Sequence, residues 1–134
     1  MPIESRYVLI ASMDVDASHE ALFNEVYDGE HIPHLLTVPG VRSVARLKGE
    51  PFTLAIADGF KEMPAPAPVY TAIYEIDHPD VLKSPEWARA VEAGRWATEV
   101  RQHTRSRHHA VYATQATTPA MSHSFLFICS PDSC

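Results

Sequence analysis

Apolar positions recur along this chain with two different periods, and the change from one to the other marks the elements. From Arg6 to Asp14 (RYVLIASMD), Tyr7, Leu9, Ala11 and Met13 alternate onto one face while Val8 and Ile10 occupy the other, which predicts a strand covered on both sides. From Ala17 to Tyr27 the period becomes helical: Leu22, Phe23, Val26 and Tyr27 share a face, and Glu20, Asn24, Glu25 and Asp28 lie away from it. Gly29 and Pro33 interrupt that pattern. Pro33 can open a further turn through Leu36, because its missing N–H costs nothing at a first-turn position, so one kinked helix and two pieces fit equally. Val38-Pro39-Gly40 then ends the helix, and Val41 to Lys48 reads as a second strand.

Between Gly49 and Pro68 the pattern is poor: a short apolar run, Phe52 to Ala57, is followed by Asp58-Gly59 and the proline-rich MPAPAP. The reading is a long, partly ordered insert, with an extra strand or hairpin arm over Phe52 to Ala57 as the alternative. Val69 to Asp77 (VYTAIYEID) is the clearest strand, with Tyr70, Ala72, Tyr74 and Ile76 on one face and Val69, Thr71 and Ile73 on the other. Ser84-Pro85-Glu86 supplies an N-cap, a first-turn proline and an early acid, and Gly94 a stop, so Pro85 to Ala93 is expected as a short helix burying Trp87, Ala90 and Val91. A last strand is expected from Arg105 to Thr114. The domain is thus expected over residues 1–115, with 116–134 as a polar tail broken by the apolar run Phe125 to Cys129.

Strand, helix, strand, strand, helix, strand is the βαββαβ order of an α+β, ferredoxin-like domain. It gives one four-stranded antiparallel sheet with two helices on one face. Strands that are apolar on both sides leave the other face as a hydrophobic patch of a kind soluble monomers rarely expose. A second copy related by a two-fold axis is the simplest cover, so the chain is expected to form a homodimer, a dimeric α/β barrel.

Composition narrows the partners. A length of 134 residues suits one core, and 46% hydrophobic with 21% charged residues is ordinary for a globular protein. A net charge of −6 argues against a nucleic-acid partner, since phosphate binding needs a basic surface. No apolar run approaches the roughly 20 residues that span a bilayer, and no export segment is recognisable, so no membrane partner and a cytoplasmic location are expected. The two cysteines, Cys129 and Cys134, cluster too near the C-terminus to staple a core or complete a four-ligand zinc set.

Three segments together carry a family likeness: YxxxHxPxLLxVPGV from Tyr27 to Val41, YTAIYEI from Tyr70 to Ile76, and DHPDVLKSPEW from Asp77 to Trp87. In order and spacing they resemble the EthD-like and related small members of the dimeric α/β-barrel superfamily, over about the first 115 residues. The resemblance implies the ferredoxin-like fold, the dimer, and a pocket between sheet and helices in each subunit. It leaves the reaction open, because such proteins include cofactor-free monooxygenases, lactone isomerases, polyketide cyclases and dehydratases. The insert at Gly49 to Pro68 and the tail depart from the usual short form.

Tyr27, His31 and His34 are spaced by four and three residues, so on a continuous helix they project from one side. The functional reading makes His31 a general acid or base with Tyr27 beside it, holding a substrate oxygen. The bland reading makes His31 a helix-end residue and Tyr27 simple core. Phe23, His34, Tyr70, Tyr74 and Trp87 are candidate substrate-binding residues; each is also a common packing residue. Glu30, His31 and His34 have a weak metal-ligand spacing, disturbed by Gly29 and Pro33, and no metal is expected. Arg101, His103, Arg105, Arg107 and His109 alternate along RQHTRSRHH, either as an anion clamp or as a solvated strand edge, the latter favoured. There is no GxGxxG, GxxxxGK[ST], GxSxG or CxxC. The expectation is an enzyme that needs no cofactor and acts on a small aromatic, lactone or polyketide-like carbonyl compound, by proton transfer or direct oxygenation. The alternative is a small-molecule binding protein without catalysis.

Overall fold

A computed structural model describes residues 3–120 of the chain. The apolar run Phe125 to Cys129, Cys134 and most of the expected tail lie outside the described residues. Strands β1 (Tyr7–Val15), β2 (Val41–Lys48), β5 (Tyr70–Ile76) and β6 (Thr104–Ala113) form one antiparallel sheet in the order β2-β5-β1-β6. That is the ferredoxin-like order, with the first and third main strands at the centre, where strands apolar on both faces belong.

Alternation sorts the sheet into two surfaces. Leu9, Ala11 and Met13 of β1 and Tyr70, Ala72, Tyr74 and Ile76 of β5 are buried in one core with Phe23, Val26, Tyr27, Leu35, Trp96 and Val100 from the helical layer. On the opposite face the register lines up Ala45, Ile73, Ile10 and Ala110 in one apolar row across all four strands. Rows on either side mix polar and apolar groups: Ser12 Oγ and Thr71 Oγ1 share a hydrogen bond at 2.9 Å, and Glu75 accepts from Ser43 Oγ at 2.5 Å and from the backbone N–H of Glu4 and Ser5. The patch read from the sequence is therefore real but narrower than strict alternation implies.

The first helical segment is one run, so of the two readings the bent helix is the one found. A 3-10 turn at Ala17–His19 leads into α1 (Glu20–Val26), a π turn at Tyr27–His31, and α2 (Ile32–Leu36). A π turn closes i→i+5 hydrogen bonds and so takes up one extra residue where Gly29 and Pro33 weaken the α pattern. The second segment starts as expected: Ser84 Oγ accepts from the Trp87 N–H at 3.1 Å and caps α3 (Pro85–Val91). It is extended on both sides, by a 3-10 turn at Pro79–Lys83 and, beyond Gly94, by a second π turn at Trp96–Val100 and a 3-10 turn at Arg101–His103. α3 itself ends at Val91, and Gly94 (φ +67°) stops it as expected; the helical turns beyond it are further elements.

For the insert the alternative reading, a hairpin arm, is the one found, and the reading of the basic segment is corrected. The insert is ordered as a hairpin, β3 (Phe52–Ile56) with β4 (Gly59–Met63), joined through Ala57-Asp58 and, among the described residues, forming a two-stranded sheet of its own. The turn residues are Ala57 and Asp58, and Gly59, paired with Ile56, opens β4 at φ +146°, a conformation glycine allows. The RQHTRSRHH segment is not one alternating strand: Arg101 and His103 sit in the 3-10 turn, and beyond Thr104 the alternation is broken by a bulge opposite Ser12 and Asp14 and by Ser106 at φ 55°. Among the described residues no helix is long and apolar enough to cross a membrane.

Candidate functional site

Between the inner sheet face and the helical layer lies a cavity of about 390 Å³, a size that holds a small organic molecule. Its sheet wall is Leu9, Ala11, Met13 and Tyr74. Its helical wall is Tyr27, His31 and Leu35 on one side and Leu82, Trp87, Val91 and Trp96 on the other. Polarity enters from β6, the edge strand. His109 faces the same side as Ala11, its register partner, and with Arg107 replaces apolar groups at the mouth.

Both π turns deliver site residues. The first carries Tyr27 and His31, the second Trp96, and the rings meet: His31 stacks on Trp96 at 4.3 Å between centroids and 20°. Tyr27 meets His31 edge-on at 4.9 Å and Trp96 edge-on at 5.1 Å. The Tyr27 and Tyr74 hydroxyls share one short hydrogen bond, and Trp87 closes edge-on against Tyr74 at 5.9 Å. Two hydroxyls joined by one hydrogen bond retain one O–H to donate elsewhere, so the pair is a donor toward the cavity.

Burial sets the charge states. Desolvation pushes the Tyr74 phenol well above its usual value, reinforced by Tyr27. It raises Tyr27 too, against the hydrogen bond from Tyr74 and the nearby Arg46, so both are neutral phenols at neutral pH. Desolvation, with Arg101 and His34 adding repulsion, lowers His31 to about 3. His31 is only 5% exposed, and no group among the described residues hydrogen-bonds its Nδ1. His109 is also lowered, by desolvation first and then by Arg107 and His108. At the rim Arg101 pairs with Glu92 at 2.7 Å and donates to the Val91 carbonyl.

Of the candidate catalytic and substrate-binding residues, Tyr27, His31, Tyr74 and Trp87 line this cavity and Phe23, His34 and Tyr70 do not; of the basic segment, Arg101, Arg107 and His109 also line it, so it is not solely a solvated edge. Phe23 and Tyr70 pack on each other at 4.9 Å beneath Arg46, whose guanidinium lies over the Phe23, Tyr27 and Tyr70 rings. The Tyr70 hydroxyl is bound to Glu20. His34 sits against Gly94, beside Glu30, because the extra residue of the π turn rotates it off the face shared by Tyr27 and His31. Trp96 was not legible as a site residue: it follows Gly94, where the helix was expected to stop, and its only signal is the i, i+4 spacing to Val100. A metal centre from Glu30, His31 and His34 is disfavoured by the same rotation, and Glu30 is held by Arg95 at 2.5 Å.

No protein-family model matches the chain, and neither does any curated protein. Among solved structures, it is similar to an ethyl tert-butyl ether d (EthD) family protein from Bacillus halodurans, at 11% identity over 81% of this chain and 99% of that one, TM-score 0.50. It is similar also to HapK from Hahella chejuensis, at 12% identity over 87% of this chain and 99% of that one, TM-score 0.52. At such identities the likeness is one of fold, and the chain shares its ferredoxin-like architecture with these structures.

Proposed function

We propose that this protein, as a homodimer, is an enzyme that acts on a small aromatic or lactone-like carbonyl compound by proton transfer and uses no cofactor. The observation that carries the reading is the convergence of the neutral His31 imidazole and the Tyr27–Tyr74 hydroxyl pair on one mostly apolar cavity. The walls accept a flat, neutral ring. The hydroxyl pair donates a hydrogen bond to the substrate carbonyl oxygen, and a His31 ring nitrogen takes a proton from the adjacent carbon. The C–H electron pair moves into the carbonyl, giving an enolate held by the tyrosines, and the proton returns to another carbon of the conjugated system. A group lowered to about 3 is a weak base in the empty site. The enolate's negative charge beside it favours the imidazolium, so the proton is held while the anion exists and is given back when the anion is quenched.

The test needs no known product. Aromatic ketones and unsaturated lactones are incubated with the protein in D2O, and deuterium entering the carbon next to the carbonyl is followed by NMR. Catalysed exchange that falls by about 100-fold or more in Tyr27→Phe and disappears in His31→Ala supports the reading. Full exchange in His31→Ala removes His31 from the mechanism. A second reading, a non-catalytic small-molecule binder, has the stacking of His31 on Trp96 in its favour, since that contact also serves packing alone. It predicts saturable binding of the same compounds with no exchange.

A further inference from the structure

At the end of β1, away from the cavity, a second group of polar side chains is drawn together. Asp16, His19 and His103 each offer one ligand atom, and these atoms all lie within 4.8 Å of one another. None of the three lines the cavity. They come from two chain segments fixed to each other by backbone: the Asp16 N–H donates to the His103 carbonyl at 3.0 Å, and the His19 N–H to the Asp16 carbonyl at 2.8 Å. Asp16 and His103 thus flank the last pairing of β1 with β6, Val15 with Thr104.

We propose that Asp16, His19 and His103 bind one divalent transition-metal ion of the Zn2+ class. Two imidazoles and a carboxylate are the donor set that such ions take, with a fourth position left for water or an anion. The outer groups fit the same role. Ser18 Oγ lies 2.9 Å from His19 Nδ1, which leaves Nε2 as the donor, and Gln102 lies 3.3 Å from His103 Nε2, which leaves Nδ1. A half-turn of the Gln102 amide gives Nε2–H an oxygen acceptor, fixing the tautomer whose Nδ1 lone pair is free. That Nδ1 faces Asp16 Oδ2 at 3.8 Å, while Oδ1 is held by Arg105 at 2.6 Å. Ligands at about 2.0–2.1 Å from a tetrahedral ion stand about 3.3 Å apart, so His103 Nδ1 and Asp16 Oδ2 must close by about 0.5 Å and no pair by more than about 1.5 Å. The two rings now lie nearly parallel, at 3.4 Å and 11°, and one must turn about its Cβ–Cγ bond to bring its lone pair onto the ion. Both rings are half-buried and Asp16 is about half exposed, so the side chains have the room.

The experiment uses the untagged full chain, stripped with a chelator and titrated with Zn2+ by calorimetry, with thermal unfolding followed in parallel. The expected result is one ion per chain and a higher unfolding temperature. His19→Ala, His103→Ala and Asp16→Asn should each weaken binding by more than roughly tenfold and lose the thermal shift. Arg105→Ala, which frees Oδ1, should bind at least as tightly as the wild type. Because each variant is compared with its own ion-free form, a change in folding is separated from a change in binding. Substoichiometric binding, weaker binding by Arg105→Ala, or one ion retained by the His19→Ala/His103→Ala double variant overturns the site. The last outcome would put the ion elsewhere, for instance on Cys129 and Cys134. Deuterium exchange at the cavity is a separate readout, so either proposal can fail without the other.

Discussion

Burial against Trp96 keeps the His31 imidazole neutral, and that has a cost in acid whose sign is fixed. Its folded-state pKa is about 3, while in the unfolded chain it is about 6.5. Between those values the unfolded chain takes up a proton that the folded one refuses, so stability falls as pH falls, by about 1.4 kcal/mol for each pH unit in the limiting case. The contribution is fully present above about 6.5. His31→Phe keeps an aromatic ring on Trp96 and carries no titration. The stability difference between wild type and this variant, from denaturant midpoints at pH 7, 6, 5 and 4, should therefore drift steadily against the wild type. A constant difference would mean that His31 charges freely in the folded protein. The same depression moves the histidine-range break in a rate profile, the natural expectation for a proton-transfer histidine, out of the pH 5 to 8 window. A flat kcat/KM across that window is thus compatible with His31 as the base.

The helical elements separate what periodicity reveals from what it hides. Two glycines of similar appearance in the sequence behave oppositely. Gly29 lies in the first π turn with nothing within 4 Å of the place a Cβ would occupy. Gly29→Ala should stabilise the protein by about 0.5–1 kcal/mol by removing backbone freedom from the unfolded chain. Gly94 has φ +67°, and a Cβ there would stand 2.9 Å from Glu30 Oε1 and 3.1 Å from the His34 ring. Gly94→Ala should lower stability by more than Gly29→Ala raises it; equal effects on urea unfolding would refute the left-handed conformation at Gly94. The strands were readable because β1 and β5 alternate without interruption, and α3 because Ser84 and Pro85 announce its start. The site was only half readable, since Tyr27 and His31 are four residues apart and stay on one face through a π turn. His34, three further on, does not, and no local residue signals that extra residue of winding. Trp96 was hidden because Gly94 ends α3 as its sequence reads, and no local residue announces that helical turns resume beyond it. Phe52 to Ala57 gave too few alternating positions to separate a hairpin from a loop until Ala57-Asp58 is seen closing it.

At the scale of the molecule the unanswered demand is on the outer sheet face and the hairpin. Ile10 and Ile73 sit side by side in the apolar row that crosses the sheet, and Leu47 and Tyr112 flank it at 49% and 58% exposure. Phe52, Leu54 and Ile56 alternate onto one face of the β3–β4 hairpin, each about half exposed. Stable association buries roughly 800 Å² on each partner, and an aromatic side chain alone offers about 150–250 Å². The four-residue row of two isoleucines and two alanines falls short of that area, so its flanks and the half-exposed hairpin residues are needed to approach it. It follows that both surfaces should matter to the homodimer proposed above. Sedimentation at micromolar concentration should give twice the 14.9 kDa chain mass. Ile73→Glu puts a charge at the centre of the row, where its desolvation is not offset by a partner, and should yield monomer. Leu54→Lys, at the rim, should weaken association without abolishing it. A wild-type protein that sediments as a monomer would leave the outer face to solvent and end the argument for a barrel. A dimer indifferent to Ile73→Glu would move the interface off the sheet.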